Sequence, residues 1–426
     1  MNKNLIIFED ARYENFCSLT HLRPIYFLRP GIRSLCQKMV DGFDGYQPFL
    51  FCRPDIEDLT RENTDYQVNA FSGRHSEDTI LINGALRPNP EFYEALKKAD
   101  GNVVVSSSQG DIVAVKVLGL LSDAEFQDLM NGDLEGFIGK VRTKADSMTI
   151  EIPFYNYLWD MVSALADEIV DDFAFFRARK DEDFSSPGQN KIKGVSFIQP
   201  ENILLASDAR LLPGCVLDAS SGPIFVDRDA RIEPYTYLIG PAYIGKGTIL
   251  VGGRIASCSI GPVCRIGGEL EASIIQGYTN KYHAGFIGHS YIGEWVNFGA
   301  MTTNSDLKNN YQPVAVSVNG RMVETGLVKV GSFVGDFTKT AIGTLLNTGI
   351  NIGLSCNIVA DGLVAEKEMP SFTWYLPRHK MDYKIVKALD TVERVMSRRN
   401  RKLTDALRRR LEEVSRISSV RSDISD

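Results

Sequence analysis

The stretch VDRDARIEPYTYLIGPAYIGKGTIL, residues 226–250, sets Val226, Ile232, Leu238, Ile244 and Leu250 six residues apart without a slip. A six-residue apolar period fits neither the 3.6-residue helix nor the alternation of a hairpin sheet. It fits a hexapeptide-repeat β-helix, in which each hexad forms one face of a coil and one inward aliphatic per face fills the core. Gly240, Gly245, Gly247 and Gly252 stand around these positions, where corners ask for unusual φ. The register then shifts and resumes as Ile260 and Ile266, as Ile292 and Phe298, and finally as Val334, Thr340, Leu346, Ile352, Ile358 and Val364. With three faces to a coil, residues 200–365 make about nine coils.

One segment breaks the period: TTNSDLKNNYQPVAVSVNGRMVETGLVK, residues 302–329. Within it VAVSV, then Asn319-Gly320, then RMVET spell a β-hairpin with a strong two-residue turn signal. A hairpin leaving a solenoid is a protrusion, and a rigid stack is a good base on which to build a site.

Towards the N-terminus, NLIIFE (4–9), PFLFC (48–52), TILIN (79–83), NVVVS (102–106) and IVAVKV (112–117) read as strands, with helical spacing at residues 32–40 and 90–99. Apolar strands interleaved with helices predict a mostly parallel, Rossmann-like α/β sheet over residues 1–121. Residues 122–178 turn helical, with an aromatic, acidic stretch at 154–176 suited to packing between domains. The charged Ser/Pro/Gly run KDEDFSSPGQNKIK, residues 180–193, is the expected linker. The predicted organisation is therefore 1–121 α/β, 122–197 helical segment and linker, 198–366 β-helix and 367–426 tail. In that tail Ile385, Leu389, Val392, Met396, Leu403, Leu407, Leu411 and Val414 follow helical spacing beside a basic run from Arg394 to Arg410. An amphipathic helix of this kind caps or oligomerises, or else meets a membrane or nucleic-acid surface.

The chain has 426 residues, 44% hydrophobic and 24% charged, so it is globular rather than disordered or disulfide-stapled. Lys+Arg 47 against Asp+Glu 54 leaves a net charge of −7, which makes nucleic acid a poor default partner. Seven scattered cysteines without a CxxC pair read as reduced thiols of a cytoplasmic protein, and structural zinc is not expected. The start lacks the apolar core of a signal peptide, and no window reaches the length of a membrane span.

The run KYHAGFIGHSYIGEWVNFGAMTTNSDLKNNY, residues 281–311, followed by GLVKVGSFVGD and further hexads, resembles the acetyltransferase half of the bifunctional N-acetylglucosamine-1-phosphate uridylyltransferase/glucosamine-1-phosphate acetyltransferase family. The chain as a whole looks like a divergent bacterial sugar-nucleotidyltransferase-like branch that joins a reduced N-terminal domain to the same left-handed parallel β-helix. The resemblance implies a homotrimer with sites between neighbouring β-helices, acetyl-CoA as co-substrate, an amino-sugar phosphate as acceptor and a His as general base. Laying Ile287-Gly288 on the family's Leu-Gly puts His283 on that base, with His289 as the rival. Asn304 and Asp306 fall on the family's Asn-Tyr-Asp loop, with Ser305 in place of the tyrosine. Asn304, Ser305, Asp306, Lys308 and Asn309 are then the candidates for binding the sugar phosphate or acyl-CoA.

In the N-terminal domain SLTHLRP, residues 18–24, and Pro30-Gly31 resemble the family's P-L-T-x-x-R-P segment and its later Pro/Gly turn. The family's Gly-rich phosphate loop is replaced by EDARYENF, with Asn15 at the loop's Arg, and INGALRP puts Ala85 where the Mg²⁺-holding Asp is expected. A loop without glycine is badly suited to cradling phosphate. Arg12, Arg23, Arg29, Arg33 and Lys38 either bind phosphate in another arrangement or are structural. The expected work is sugar-nucleotide metabolism: acyl transfer on the β-helix, with a weak nucleotidyl transfer from a nucleoside triphosphate, needing Mg²⁺ if active. The alternatives are nucleotidyl transfer as the main activity, a non-catalytic sugar-phosphate or nucleotide sensor, and a trimeric scaffold.

Overall fold

The computed structural model describes residues 3–72, 77–87, 89–187, 192–377 and 379–422. Part of the expected linker, residues 188–191, lies outside them. The chain divides into two compact units, the first made of residues 1–16, 22–28 and 33–156, the second of 17–21, 29–32 and 157–426.

The first unit is built on a seven-stranded sheet of β1 (Lys3–Phe8), β2 (Gln47–Phe51), β3 (Gln67–Val68), β4 (Asp78–Asn83), β5 (Val103–Ser106), β6 (Ile112–Leu118) and β7 (Asp146–Thr149), in the order 3-2-1-4-6-5-7. Strands β1 to β4 run parallel, and β6 is antiparallel to both β4 and β5. Ile6, Phe8, Phe49, Leu81, Val104 and Val115 form its core with Phe137 and Val141 of the helix Leu134–Arg142. The helix Leu35–Gly42 starts on a reciprocal cap, with Ser34 Oγ accepting from Gln37 N–H and the Gln37 side chain accepting from Ser34 N–H.

Two expectations change here. The segment after residue 121 is not continuously helical. It supplies β7, parallel to β5, and the first unit runs on to residue 156. Strand β7, DSMT, buries none of its side chains and so carries no apolar alternation to read. The aromatic helix Leu158–Arg179 belongs to the second unit, where it lies on one face of the β-helix. Trp159 packs against Phe333, and Phe176 against Phe225.

That face is ten strands wide, and all but the antiparallel Phe184–Ser185 are parallel rungs, which gives nine. The pairing stacks Leu205, Val226, Ile244, Ile260, Ile275, Ile292, Val334, Ile352 and Met369 in one inward column. A second column runs Leu211, Ile232, Leu250, Ile266, and a third Leu217, Leu238, Ile255, Leu270, Ile287. The aliphatic and aromatic hexad residues read from the sequence are thus the solenoid's core, and Thr340 is the buried polar one among them. The Pro30-Gly31 turn is built into this unit: Asp172 accepts from Ile32 N–H, and Ser259 Oγ donates to Gly31 O at 2.6 Å. A side chain at Gly31 would lie 2.8 Å from Asp172 Oδ2.

Rungs continue through Thr373–Leu376, so the tail begins later than residue 367. The helices Ile385–Ser397 and Asp405–Ser422 follow, with Leu389, Val392, Met396, Leu411 and Val414 buried. No helix among the described residues is long and apolar enough to cross a membrane.

Truncating Ile352 to Ala should lower unfolding stability by about 2–5 kcal/mol, since the rungs on either side leave the cavity nothing to collapse with. Tyr235→Ala, at an exposed corner (86% accessible), should stay within about 0.5 kcal/mol. Urea titrations of both variants followed by circular dichroism measure the difference.

Candidate functional site

Two of the places where the inward columns turn polar are neighbours. Lys281 pairs in register with Ile266 and takes the next place in the second column, and Asn304 pairs with Leu346 in the third. Both are about 2% exposed. Lys281 Nζ donates to the carbonyls of Gly267 (2.7 Å), His283 (3.2 Å) and Gly285 (2.7 Å), which ties down the turn at residues 282–285. Burial lowers the Lys281 pKa to about 8. Asn304 accepts from Gly288 N–H and donates to Gly288 O, so its amide stitches one coil to the next and is not free for a ligand.

The chain leaves the solenoid directly after Asn304 and returns at Gly331. Its excursion carries the expected hairpin, Ala315–Val318 with Arg321–Glu324. At the root of the excursion, Asp306 Oδ2 lies 2.7 Å from His289 Nδ1. The two side chains are 14% and 20% exposed. Gly288 makes the approach possible, because a Cβ there would lie 2.6 Å from Asp306 Oδ2. Burial pushes the Asp306 carboxyl up, but the hydrogen bond and charge of His289, and then the charge of Lys329, outweigh it and leave the pKa below the usual carboxylate value. An ionised carboxylate only accepts, so Nδ1 carries the proton, and in the neutral form of the ring Nε2 is the nitrogen with the lone pair. Nε2 has no hydrogen-bond partner among the described residues.

The remaining candidates sit as follows. His283 is exposed on a different turn of the coil, edge-on to Tyr282 at 5.3 Å, and its side chain has no hydrogen bond among the described residues. Ser305 Oγ donates to Leu307 O and accepts from Thr348 Oγ1. Lys308 Nζ donates to Pro313 O, and Asn309 is exposed on the loop. His289 is thus joined to Asp306, while His283 stands apart from both. A signal for this lay in the spacing: His289 and Asp306 are seventeen residues apart, the same offset as the paired rungs Ile275 and Ile292.

In the first unit the strand order reverses at β1, where the chain continues to β2 on one side and β4 lies on the other. The crevice beyond the carboxyl ends of such strands is where open α/β sheets bind ligands. Here it holds Asp10, Arg12 and Asn83. Arg12 pairs with Asp10 and with Asp111 (2.7 Å), donates to Asn156 Oδ1 (3.0 Å), and lies 4.0 Å above the Phe154 ring. Asn83 Nδ2 donates to Asp10 Oδ2 at 2.8 Å. Residues 11–16 form a short 3-10 helix in place of an open loop. Ala85 is fully buried, and no group of three or more His, Cys, Asp or Glu suited to a metal occurs among the described residues. Two carboxylates bridged by a guanidinium do not make a Mg²⁺ site. Arg33 pairs with Asp41, while Arg23 and Lys38 are buried. Arg29 belongs to the second unit, its backbone N–H donating to Tyr291 Oη and its guanidinium 5.4 Å from the Tyr243 ring. The expected phosphate-binding cations are therefore not one cluster in the first unit.

Residues 5–181 match the family model described as sugar nucleotidyl transferase. The match takes in the seven-stranded sheet except for the first two residues of β1. The chain is similar to a bifunctional protein GlmU of Methanocaldococcus jannaschii, 29% identical over 158 residues, covering 37% of this chain and 33% of that protein. It is similar to a bifunctional sugar-1-phosphate nucleotidylyltransferase/acetyltransferase of Sulfurisphaera tokodaii, 32% identical over 155 residues, covering 34% and 37%. A bifunctional protein GlmU of Prochlorococcus marinus is 26% identical over 215 residues, covering 45% and 43%. The matches span about a third of the length of the first two relatives. Archaeal and bacterial proteins stand among them, so the likeness is to bifunctional proteins of this type at large.

The buried amine gives a pH signature. Above about pH 8 the folded chain has released the Lys281 proton, while the unfolded chain holds it up to about 10.5. The unfolded state then binds more protons, and this residue's contribution to stability rises with pH across that window. Lys281→Met removes the titration. The stability of the natural chain relative to that variant should improve by a few kcal/mol between pH 8 and 10.5, as read by denaturant unfolding at each pH.

Proposed function

We propose that the chain works in sugar-nucleotide metabolism as an acyl-CoA-dependent acyltransferase, moving an acetyl group to the amine of an amino-sugar phosphate at the root of the β-helix excursion. The observation that carries this reading is the His289–Asp306 pair, a held imidazole with a free nitrogen at a corner of the β-helix. The bifunctional names of the relatives support it.

The reaction asks little of the protein beyond proton handling and placement. As the amine nitrogen attacks the thioester carbonyl, His289 Nε2 takes its proton. Asp306 holds Nδ1–H and so fixes the ring and its tautomer. The oxyanion collapses, the C–S bond breaks, and the imidazolium returns the proton to the departing thiolate. Lys308 and Asn309, on the loop beside the pair, are suited to meet the sugar phosphate or the oxyanion, with Ser305 holding the loop. His283, which the family register puts on the base, would serve only if a neighbouring β-helix closed over it, as in the homotrimer the resemblance implies. The expected setting is cytoplasmic.

For the first unit we propose binding of a sugar phosphate or nucleotide with little nucleotidyl transfer. The ion-paired Arg12 supports this, because a guanidinium held between two carboxylates has no spare charge for an α-phosphate.

Free thiol should appear when acetyl-CoA and glucosamine-1-phosphate are supplied together. His289→Ala and Asp306→Asn should each slow its release, the first by about 10²–10⁴-fold, with His283→Ala close to the natural rate. A loss confined to His283→Ala moves the base to that residue, and absence of thiol release from a panel of amino-sugar phosphates rejects the reading.

Pyrophosphate release from a nucleoside triphosphate and a sugar-1-phosphate with Mg²⁺ should be slow or undetectable. Turnover of about 1–10³ s⁻¹, the usual enzymatic range, would show that the Arg12 pairs open to admit the nucleotide.

A further inference from the structure

A second feature of the β-helix lies on another corner. The turns that follow residues 274–277 and 291–294 place Tyr278 and Trp295 one above the other, rings stacked at 4.3 Å, with Phe337 on the far face of Trp295 at 6.1 Å. The His289 turn precedes residues 291–294, so this corner is a different one. The end of the helix Ile385–Ser397 and the residues after it come down beside the aromatic stack, and between them is a cavity of about 220 Å³. Asn280, Lys339, Arg398 and Arg399 line it together with Tyr278 and Trp295.

The charge in this cavity is one-sided. Arg399 Nη2 donates to Asn280 Oδ1 at 3.0 Å, but its buried Nε has no partner. Lys339 Nζ donates only to Phe337 O, at 2.8 Å, and burial lowers its pKa to about 8. Arg401 donates to Tyr278 Oη at 3.1 Å. None of Lys339, Arg398, Arg399 and Arg401 has a carboxylate partner among the described residues. Arg265 is held below its ordinary pKa by burial and then by the Arg399 charge, so like charges are crowded here. By contrast, Arg53 is paired with Glu9, and Arg12 with Asp10 and Asp111. Several cations brought together without an acid repel one another unless an anion joins them.

We infer that this cavity is an anion site for a small phosphorylated ligand, its phosphate held by Arg399, Arg398 and Lys339 against the Tyr278–Trp295 wall. A guanidinium with a free Nε–H and a second Arg beside it offer the paired donors that phosphate oxygens accept. Because the site joins a β-helix corner to the C-terminal helix, its occupation ties the tail to the solenoid. The site is separate from the His289–Asp306 pair and does not depend on that pair being catalytic.

The test uses the whole chain with inorganic phosphate as probe, at fixed ionic strength against chloride. Trp295 fluorescence and the melting temperature are both read. Phosphate should change both in a saturable way that chloride does not reproduce. The apparent affinity should fall at least tenfold in Arg399→Gln and in Arg398→Gln, the latter being exposed and safe for folding. A Trp295→Phe chain should keep the thermal shift and lose the fluorescence change. The inference is overturned if chloride matches phosphate, or if Arg398→Gln and Arg399→Gln both bind phosphate like the natural chain. The second result would place the bound phosphate elsewhere, as in the first unit.

Discussion

Each inward side chain of the β-helix rests on the one a coil before it, and that stacking is the constraint on which the second unit depends. A rung of two or three residues has too few backbone bonds to stand alone, so its stability comes from covering the aliphatic below and being covered above. The requirement repeats on three faces and dictates the six-residue period. It also dictates the outer surface. The outward column Phe225, Tyr243, Tyr291 and Phe333 is buried beneath the helix Leu158–Arg179, with Arg29 and Phe184 covering it as well.

Where the columns become polar, the fold accepts a cost. A buried ammonium needs every proton satisfied, and Lys281 finds three carbonyls, two in the turn that presents His283 and one at Gly267 in the coil before. Asn304 takes an aliphatic's place and uses its amide to hold Gly288. Gly288 is the residue whose missing side chain lets Asp306 reach His289. The two polar intrusions therefore flank the place where the chain leaves the solenoid, and the rigidity of the rungs passes to the histidine–aspartate pair.

The first unit tells the opposite story with the same physics. Its sheet has the strand order that makes a ligand crevice, yet the crevice is closed by the chain's own ions. Glu9 is nearly fully buried, and burial raises its pKa even though it pairs with Arg53 at 2.7 Å and accepts from Ile25 N–H at 2.8 Å. Asp10 is taken by Arg12 and Asn83. In a loop with room for phosphate these donors would face outward. Here they satisfy one another, as a loop without glycine, folded into a 3-10 helix, allows.

The sequence by itself determined the periodic parts. A spacing of six fixes which residue points inward, because the pleat and the corners repeat, so Val226 through Leu250 and Val334 through Val364 could be placed without a structure. Strands β1, β2, β4, β5 and β6 were legible as apolar runs for the same local reason. Tertiary structure alone decided what lies across a coil. Strand β7 has no buried side chain and is held by backbone pairing to β5. Arg12 is a phosphate candidate in one dimension and an ion-paired residue in three. Which histidine meets Asp306 depends on which corner the excursion starts from, since a carboxylate reaches only the imidazole on its own corner. Local sequence sets a side chain's face, whereas its partner depends on the length of each coil, and the coils vary.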